Sequence, residues 1–244
     1  LAQVRPAGVV LREENVQNPD QTARLTEQIR EAVESAPPLI AADPARVADA
    51  LGLKGAPSPA LLGSRRDAAA AREAGRALAK VCKARGISVV LGPNLSFSAP
   101  PAAGAAVPAR DAFAEDAATV IAVGLSYIDG IMQGGVIPVA TGYPGPPTEE
   151  REGYPVLAQD VNDLAQTLFP FTEAVSKGLL GVMAGPVAVP ALDNRFPQRP
   201  AALSPVLVGG VLRGDGRDYD GVVLASDVAA PPLAGRYAPE DAVV

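Results

Sequence analysis

A chain of 244 residues, of which 48% are hydrophobic and 20% charged, is long enough to fill one sizeable core. Its net charge of −6, without a basic run, argues against nucleic acid and anionic membranes as partners. The sequence contains no histidine, which excludes Ser-His-Asp and Cys-His nucleophile systems and every His-ligated zinc or non-haem iron site. Any catalysis would therefore depend on carboxylates, Lys, Tyr, Ser or backbone dipoles, and no metal or cofactor is predicted. No apolar stretch is long enough to span a bilayer, and no signal peptide is apparent in a chain that opens on Leu1.

Short apolar strands alternate with amphipathic helices along the chain. One helix begins at Asn18, which proline follows, and a longer helix carries Cys82 on its apolar face and ends at Gly86. Cys82 is therefore expected to be a buried small hydrophobe. In chain order the predicted elements are a strand at 8–11, a helix from 18, a strand at 38–42, a helix over 67–85, a strand at 88–91, a loop over 100–109, a helix over 111–128, a strand at 135–140, a loop over 142–153, helices over 157–168 and 172–177, a strand at 181–184, a helix over 205–212 and a strand at 221–224.

This alternation predicts an α/β fold with a parallel sheet that helices cover on its outer side. The length and pattern favour a (β/α)₈ TIM-type barrel, although only six strands are identifiable. One further strand is expected before Leu1 and another between Val187 and Leu203, so the barrel lacks or distorts one or two strands. No repeat or interdomain linker is visible, so residues 1–244 are predicted to form a single domain.

Several segments carry a recognisable pattern in a fixed order. They include AGVVLREENVQNP at 7–19, PLIAAD at 38–43, GISVVLGP at 86–93, LFPF at 168–171, VM at 182–183 with PALD at 190–193, and ALSP, LR and YDGVV at 202–205, 212–213 and 219–223. Together these segments resemble the N-terminal barrel of glycoside hydrolase family 3, which includes β-N-acetylhexosaminidases and β-glucosidases. The resemblance covers nearly the whole chain and implies the same barrel, with the active site at the carboxyl ends of the strands.

The resemblance also locates the family's catalytic nucleophile, the first Asp of an "SDDL" motif at the end of a strand. That family cleaves glycosyl bonds with retention, using this carboxylate and a separate acid/base. Without a gap, Ser226 takes the nucleophile position and Asp227 the second acidic position. A slip of one residue would make Asp227 the nucleophile, but it would flip every side chain of a buried strand, which favours the gapless alignment.

The residues that line the family's sugar pocket are replaced in this sequence. The sugar-gripping "KHFPGHG" aligns with TGYPGPP at 141–147, so the lysine becomes Thr141 and both histidines are lost. The acid/base histidine of the hexosaminidases aligns near Arg151, and another pocket histidine aligns with Pro186. Ser96 stands in place of an aspartate, and Asp111, next to Arg110, in place of an arginine.

A few polar residues remain as candidates for the site. Asp43 and Arg46 correspond to family positions that contact substrate, although Asp43 is equally explained as the N-cap of the following helix. Asp227 has the same alternative as the N-cap of the last helix. Glu149 and Glu150 lie on a loop of the correct face and could supply an acid/base, although such a charge run is usually a solvated loop.

These substitutions predict a catalytically degenerate family 3-like domain that makes protein contacts or binds carbohydrate weakly. The alternative is a divergent retaining β-glycosidase, similar to β-N-acetylhexosaminidases, with Asp227 as nucleophile. The Ala- and Pro-rich composition is compatible with an extracytoplasmic or envelope-associated protein.

Overall fold

The computed structural model describes residues 6–33, 37–97, 111–214, 219–226 and 237. In these residues six parallel strands form one sheet, in the order β1-β2-β3-β4-β7-β8, and two antiparallel strands, β5 and β6, form a hairpin. The strands are β1 (Gly8–Leu11), β2 (Leu39–Ala42), β3 (Val89–Asn94), β4 (Ile137–Tyr143), β5 (Glu149–Arg151), β6 (Tyr154–Val156), β7 (Gly181–Ala184) and β8 (Val222–Ala225). All six predicted strands of the parallel sheet are therefore present, with ends shifted by up to three residues.

Helices connect the parallel strands and cover one face of the sheet. They are α1 (Pro19–Glu31), α2 (Pro44–Leu51), α3 (Pro59–Arg65), α4 (Ala68–Ala84), α5 (Ala117–Thr119), α6 (Leu125–Gln133) and α7 (Val161–Ser176). A π-helical turn, Val120–Gly124, joins α5 to α6, and a second one, Val206–Leu212, precedes β8. Within the described residues, no helix has the length and apolarity that a bilayer crossing requires.

Short polar side chains set the beginnings of the helices. The side chains of Asn18, Asp43, Ser58, Asp67 and Asp160 each accept a hydrogen bond from a backbone amide in the first turn of the helix that follows. Proline occupies the first position of α1, α2 and α3, where the missing N–H costs nothing. Helix α3 was not among the predicted elements, and α2 was anticipated only through the interpretation of Asp43 as an N-cap, although the Asp-Pro and Ser-Pro pairs before them are ordinary helix-start signals.

On the outer side of the sheet, α4 and α6 cross with their backbones in close contact. A Cβ atom added at Gly75 would lie 3.0 Å from the Ile131 amide nitrogen, and one at Gly130 would lie 2.9 Å from the Arg72 carbonyl carbon. The two helix backbones can approach this closely only because both positions lack a side chain. Cys82 is fully buried beside this crossing, as predicted, and burial raises the pKa of its thiol to about 12.

The opposite, concave face of the sheet is only partly filled. Ala41, Val89, Leu91 and Val139 form a small buried cluster there. The alternation of side chains places Val10, Leu39 and Val222 on the same face, and these three remain 50%, 45% and 52% exposed. The described residues therefore form an open half-barrel of parallel strands, and they do not show the eight-stranded closure that was predicted.

Three other predicted elements differ from the structure, and a fourth falls outside the described residues. Residues 187–203 hold isolated bridges at Ala188, to Val156 and to Pro200, but no strand, because this connection is fixed by turns. The loop over 142–153 contains β5 and the turn of the hairpin. The helix expected over 111–128 begins only at Ala117, where Asp116 caps it, and continues to Gln133. The loop over 100–109 lies outside the described residues.

The two helices expected over 157–168 and 172–177 are a single helix, α7, although Pro170 lies inside it. Proline removes one helical hydrogen bond and usually ends a helix. Here the apolar face continues past it, since Leu168, Phe171, Ala174 and Val175 are all buried against the sheet. Burial of this face outweighs the local preference for a break.

Candidate functional site

The polar residues identified from the sequence lie at one end of the sheet. Asp43 directly follows β2, Ser96 follows β3 by two residues, Thr141 lies in the last part of β4, and Ser226 directly follows β8. Because these strands are parallel, their carboxyl ends form a common edge. This edge is where barrel enzymes hold their substrates, so it is the candidate site.

The Asp43 side chain caps the start of α2. One carboxylate oxygen accepts a hydrogen bond of 3.0 Å from the Ala45 amide, and the other lies 3.4 Å from Arg46 Nε. Burial raises the pKa of the Asp43 carboxyl, and the negative charge of Asp111 raises it further, while the Ala45 amide and the Arg46 guanidinium act in the opposite direction. Asp43 therefore caps α2 with one oxygen, as the capping interpretation predicts, and its other oxygen faces the exposed Arg46 side chain.

A hydrogen-bonded pair, Asn94 and Ser96, fills the middle of the site. Asn94 Oδ1 accepts from the Ser96 amide at 2.8 Å and from the Ser96 hydroxyl at 2.7 Å. A Cβ atom at Gly142 would overlap Asn94 Oδ1 and would lie 2.9 Å from Ser96 Oγ, and Gly142 has a φ of 90°, which favours glycine. Gly142 takes the place of a pocket histidine in the resembling family, and Asn94 Oδ1 lies too close for the Cβ atom of any side chain at that position.

Asn94 is the residue of the site that sequence reasoning missed. It is the last residue of β3 and is paired in register with Thr141 of β4. Its position after Gly92 and Pro93 looked like an ordinary strand end. The only available signal was that a short amide followed two residues later by serine commonly forms a local side-chain turn.

Ser226 occupies the end of β8. Its amide donates to the Ala184 carbonyl at 2.9 Å, and side-chain alternation places it on the concave face with Val222 and Leu224. The Ser226 hydroxyl oxygen is shielded from solvent and has no hydrogen-bond partner in the described part of the chain. Asp227 lies outside the described residues. The gapless alignment, with Ser226 facing the interior, is thus compatible with the strand geometry.

The hairpin β5–β6 stands beside this edge. Its turn, Glu152 and Gly153, has φ values of 52° and 80°, the pattern of a type I′ turn. Glu149 forms an ion pair with Arg151 on the same strand. Glu150 follows Glu149 directly and so points to the other face. Arg151, near the family's acid/base position, therefore neutralises one of the two carboxylates that could have replaced the lost histidine.

The described residues include no group of three or more Asp, Glu, Cys or His side chains that could hold a metal ion. The polar groups at this edge are the Asp43 carboxylate that caps α2, the Asn94–Ser96 pair, the buried Ser226 hydroxyl and the Glu149–Arg151 ion pair of the hairpin.

Comparison with known proteins gives a consistent relationship. The Glycosyl hydrolase family 3 N terminal domain model matches residues 1–244. "Beta-hexosaminidase LpqI" of Mycobacterium bovis is 30% identical over 139 residues, which are 54% of this chain and 35% of that protein. A "Beta-hexosaminidase" of Methylococcus capsulatus is 28% identical over 177 residues, 70% of this chain and 50% of that protein. The chain thus spans half or less of the length of these curated relatives.

Solved structures show the same fold. A glycoside hydrolase family 3 β-N-acetylglucosaminidase from Paenibacillus sp. superposes with a TM-score of 0.84 and 25% identity, over 96% of this chain and 46% of that one. NagZ from Neisseria gonorrhoeae, in complex with zinc ion, superposes with a TM-score of 0.76 and 24% identity, over 92% of this chain and 68% of that one.

Proposed function

The chain belongs to the family of glycosyl hydrolase family 3 N-terminal domains, and we propose that it is a catalytically degenerate member, one domain whose barrel framework serves weak carbohydrate binding or protein contact instead of glycoside hydrolysis. The observation that carries this proposal is the hydrogen-bonded pair Asn94–Ser96, which lies against Gly142. These two polar groups bond to each other, and Thr141 and Gly142 stand where the resembling family has the lysine and histidine that hold a sugar.

The nucleophile position supports the same conclusion. A retaining glycosidase usually has two carboxyl groups about 5–5.5 Å apart, one of them as nucleophile, and in the hexosaminidases that this chain resembles a histidine takes the place of the second. At the end of β8 the concave-face residue is Ser226, whose hydroxyl has no base among the described residues that could deprotonate it. An unactivated serine hydroxyl is a poor nucleophile near neutral pH.

The second candidate function is a divergent retaining β-glycosidase of the β-N-acetylhexosaminidase type. It is favoured by the two curated relatives, which are both named β-hexosaminidases. In this alternative Asp227 is the nucleophile and Glu149 or Glu150 supplies the acid/base. Glu149 is the weaker choice of the two, because its carboxylate is already paired with Arg151.

A paired turnover assay separates the two functions. Wild type, Asp227→Ala and a matched control, Asp220→Ala, are compared on aryl β-N-acetylglucosaminides and aryl β-glucosides. Degeneracy predicts that all three release aryl alcohol only at the uncatalysed rate. Turnover in wild type and in the control that is abolished in Asp227→Ala would establish the glycosidase and refute degeneracy.

Binding provides the second measurement. With Thr141, Gly142, Pro146 and Pro186 in place of the family's lysine and histidines, the pocket lacks the donors that hold sugar hydroxyl groups. Calorimetric titration with N-acetylglucosamine or glucose is expected to show no heat of binding at millimolar concentration. A micromolar dissociation constant would contradict the proposed loss of the pocket.

A further inference from the structure

A groove lies between α6 and α7 on the outer side of the sheet. It encloses about 340 Å³, near the lower end of the range of about 300–1,000 Å³ that is typical of small-molecule sites. Lys177 and Leu179, which line it, lie between α7 and β7, so the groove is near the amino ends of the strands. It is therefore separate from the candidate site at the carboxyl ends, and it is called the outer groove below.

One wall of the outer groove is an apolar stripe that its neighbours cover only in part. Ile121, Leu125, Ile128 and Met132 recur at spacings of four, three and four residues along the π-helical turn and α6, so they share one helix face. Ile128 is buried, but Ile121, Leu125 and Met132 each keep part of their surface exposed. The facing residue of α7 is Ala174, whose small side chain does not fill the space. Apolar surface is thus left for a ligand to cover.

The π-helical turn Val120–Gly124 forms one end of the same wall, through Ile121 and Ala122. Its backbone bonds span five residues instead of four, and such turns are rare in proteins and frequent at functional sites. The turn is a feature of the backbone and does not depend on the volume of the groove. It therefore favours a binding role for this face independently.

Two cations with unused donors stand on the rim of the outer groove. Arg72 Nε donates to Asp129 Oδ2 at 2.6 Å, and Gln133 Nε2 donates to Asp129 Oδ1 at 2.8 Å, so both oxygens of Asp129 are engaged. The terminal nitrogens of Arg72 have no hydrogen-bond partner among the described residues. Lys177 Nζ is 3.9 Å from Glu173 Oε2, and 62% of the Lys177 side chain is exposed, which makes a loose pair. Arg72 and Lys177 can therefore both donate to one anionic group.

We propose that the outer groove binds a straight-chain alkyl carboxylate, the anion of a free fatty acid. The alkyl chain packs along Leu125 and Met132 and removes their exposed surface from water. The carboxylate accepts hydrogen bonds from the terminal nitrogens of Arg72 and from Lys177, since charge-assisted bonds to a carboxylate are strong. The site is separate from the candidate site, so its occupancy does not depend on glycoside hydrolysis.

The extent of the apolar surface favours a small amphiphile over a protein partner. A stable protein interface buries about 1,200 Å² or more. Here the apolar surface ends at the groove, because the exposed residues next to its lining along α6 and α7, Gln133 and Ser176, are polar. A neutral or cationic amphiphile of the same shape would leave the donors of Arg72 and Lys177 unused. The carboxylate is the head group that satisfies both.

The test is a calorimetric titration of the intact protein with sodium decanoate below its micelle concentration. Lys177→Gln is expected to bind about fivefold more weakly, because one exposed charge-assisted contact is lost. The matched control, Lys80→Gln, removes the same charge from an exposed lysine of α4 that does not line the groove, and it should bind like wild type.

A second variant fills the outer groove. The Ser126 hydroxyl, on the groove wall, donates only to the Ala122 carbonyl one turn earlier in its own helical segment. Ser126→Met therefore removes no contact between elements, while its larger side chain occupies the space of the alkyl chain. Binding of decanoate should fall at least about tenfold. Thermal unfolding of each variant checks that the fold is intact.

The ligand can be varied in the same way. Octanoate should bind about tenfold more weakly than decanoate, because it buries two fewer methylene groups. Decyltrimethylammonium has the same chain with the opposite charge, and it should bind more weakly than decanoate. Both ligands are titrated into wild type under the same conditions.

Five outcomes would overturn the proposal. Three of them are absence of saturable decanoate binding by wild type, equal weakening in Lys80→Gln and Lys177→Gln, and unchanged binding by Ser126→Met. The fourth, decyltrimethylammonium binding as tight as that of decanoate, would show that the carboxylate is not recognised. The fifth comes from sedimentation of the protein without ligand. A wild-type dimer that Ser126→Met dissociates would assign the outer groove to a second copy of the chain.

Discussion

The Asn94 side-chain oxygen occupies the space that any side chain at Gly142 would need. The two residues lie on adjacent parallel strands, β3 and β4, and Gly142 adopts a φ of 90°. Asn94 and Gly142 therefore depend on each other sterically, since a side chain at position 142 and the present Asn94 rotamer exclude each other. A histidine could not be returned to position 142 alone without displacing Asn94.

Gly142→Ala should destabilise the protein by about 3 kcal/mol, because it adds left-handed backbone strain to an overlap with Asn94. Gly153→Ala is the matched control, since Gly153 has a φ of 80° but open space around it. The control should lose only about 1 kcal/mol. Urea denaturation measures both free energies of unfolding. Equal losses in the two variants would show that Asn94 moves aside without cost.

Gly130→Ala should destabilise the protein by about 3 kcal/mol, because the added methyl group meets the backbone of α4 at Arg72 and Arg76. Backbone atoms cannot rotate away as a flexible side chain can. Gly209→Ala adds the same methyl group where no atom lies within 4 Å, and it should be neutral or stabilising by about 0.5 kcal/mol. Thermal unfolding of the pair tests whether α4 and α6 are in close backbone contact, and a neutral Gly130→Ala would contradict it.

Asp43→Ala removes the N-cap of α2 and should lower the free energy of unfolding by about 1 kcal/mol. Asp43→Asn keeps a capping oxygen, so at neutral pH it should be as stable as wild type or more stable. The sign follows from the raised pKa of Asp43, which burial causes. The folded state holds this proton more tightly than the unfolded state, so ionisation of Asp43 reduces stability as pH rises from 3.8 through the raised value.

Free energies of unfolding measured across this pH range should fall in wild type relative to Asp43→Asn. Above the range the difference should stay constant. An opposite slope, with wild type gaining stability relative to Asp43→Asn as pH rises, would mean that the Arg46 ion pair outweighs burial.

Ser226→Asp should not restore hydrolysis of aryl β-N-acetylglucosaminides. The substitution supplies a carboxylate at the nucleophile position, but the sugar-holding side chains and the acid/base histidine remain absent at Gly142, Pro186 and Arg151. Release of aryl alcohol is followed over long incubations against the unmodified protein. Turnover by the variant would show that the pocket still positions a sugar and that only the nucleophile had been lost.

Local signals in the sequence account for much of the fold. The six strands of the parallel sheet and the beginnings of α1 and α4 are encoded by short apolar runs and by capping residues such as Asn18 and Asp67, which act on their immediate neighbours. The ends of α6 and the continuity of α7 past Pro170 could not be predicted in this way. Burial against the sheet decides both, and burial depends on distant segments.

The sequence by itself determined which chemistry is excluded, because a chain without histidine cannot form histidine-based nucleophile systems or metal sites in any fold. It also determined the family, through ordered segments along the chain. Only the tertiary structure decided that Asn94 fills the space beside Gly142 and that the Asp43 side chain caps α2. It also decided that the guanidinium groups of Arg195 and Arg199 both lie over the Phe196 ring. The physical reason is that packing and electrostatic energy depend on distances between atoms of different segments, and a linear pattern of residue types does not contain those distances.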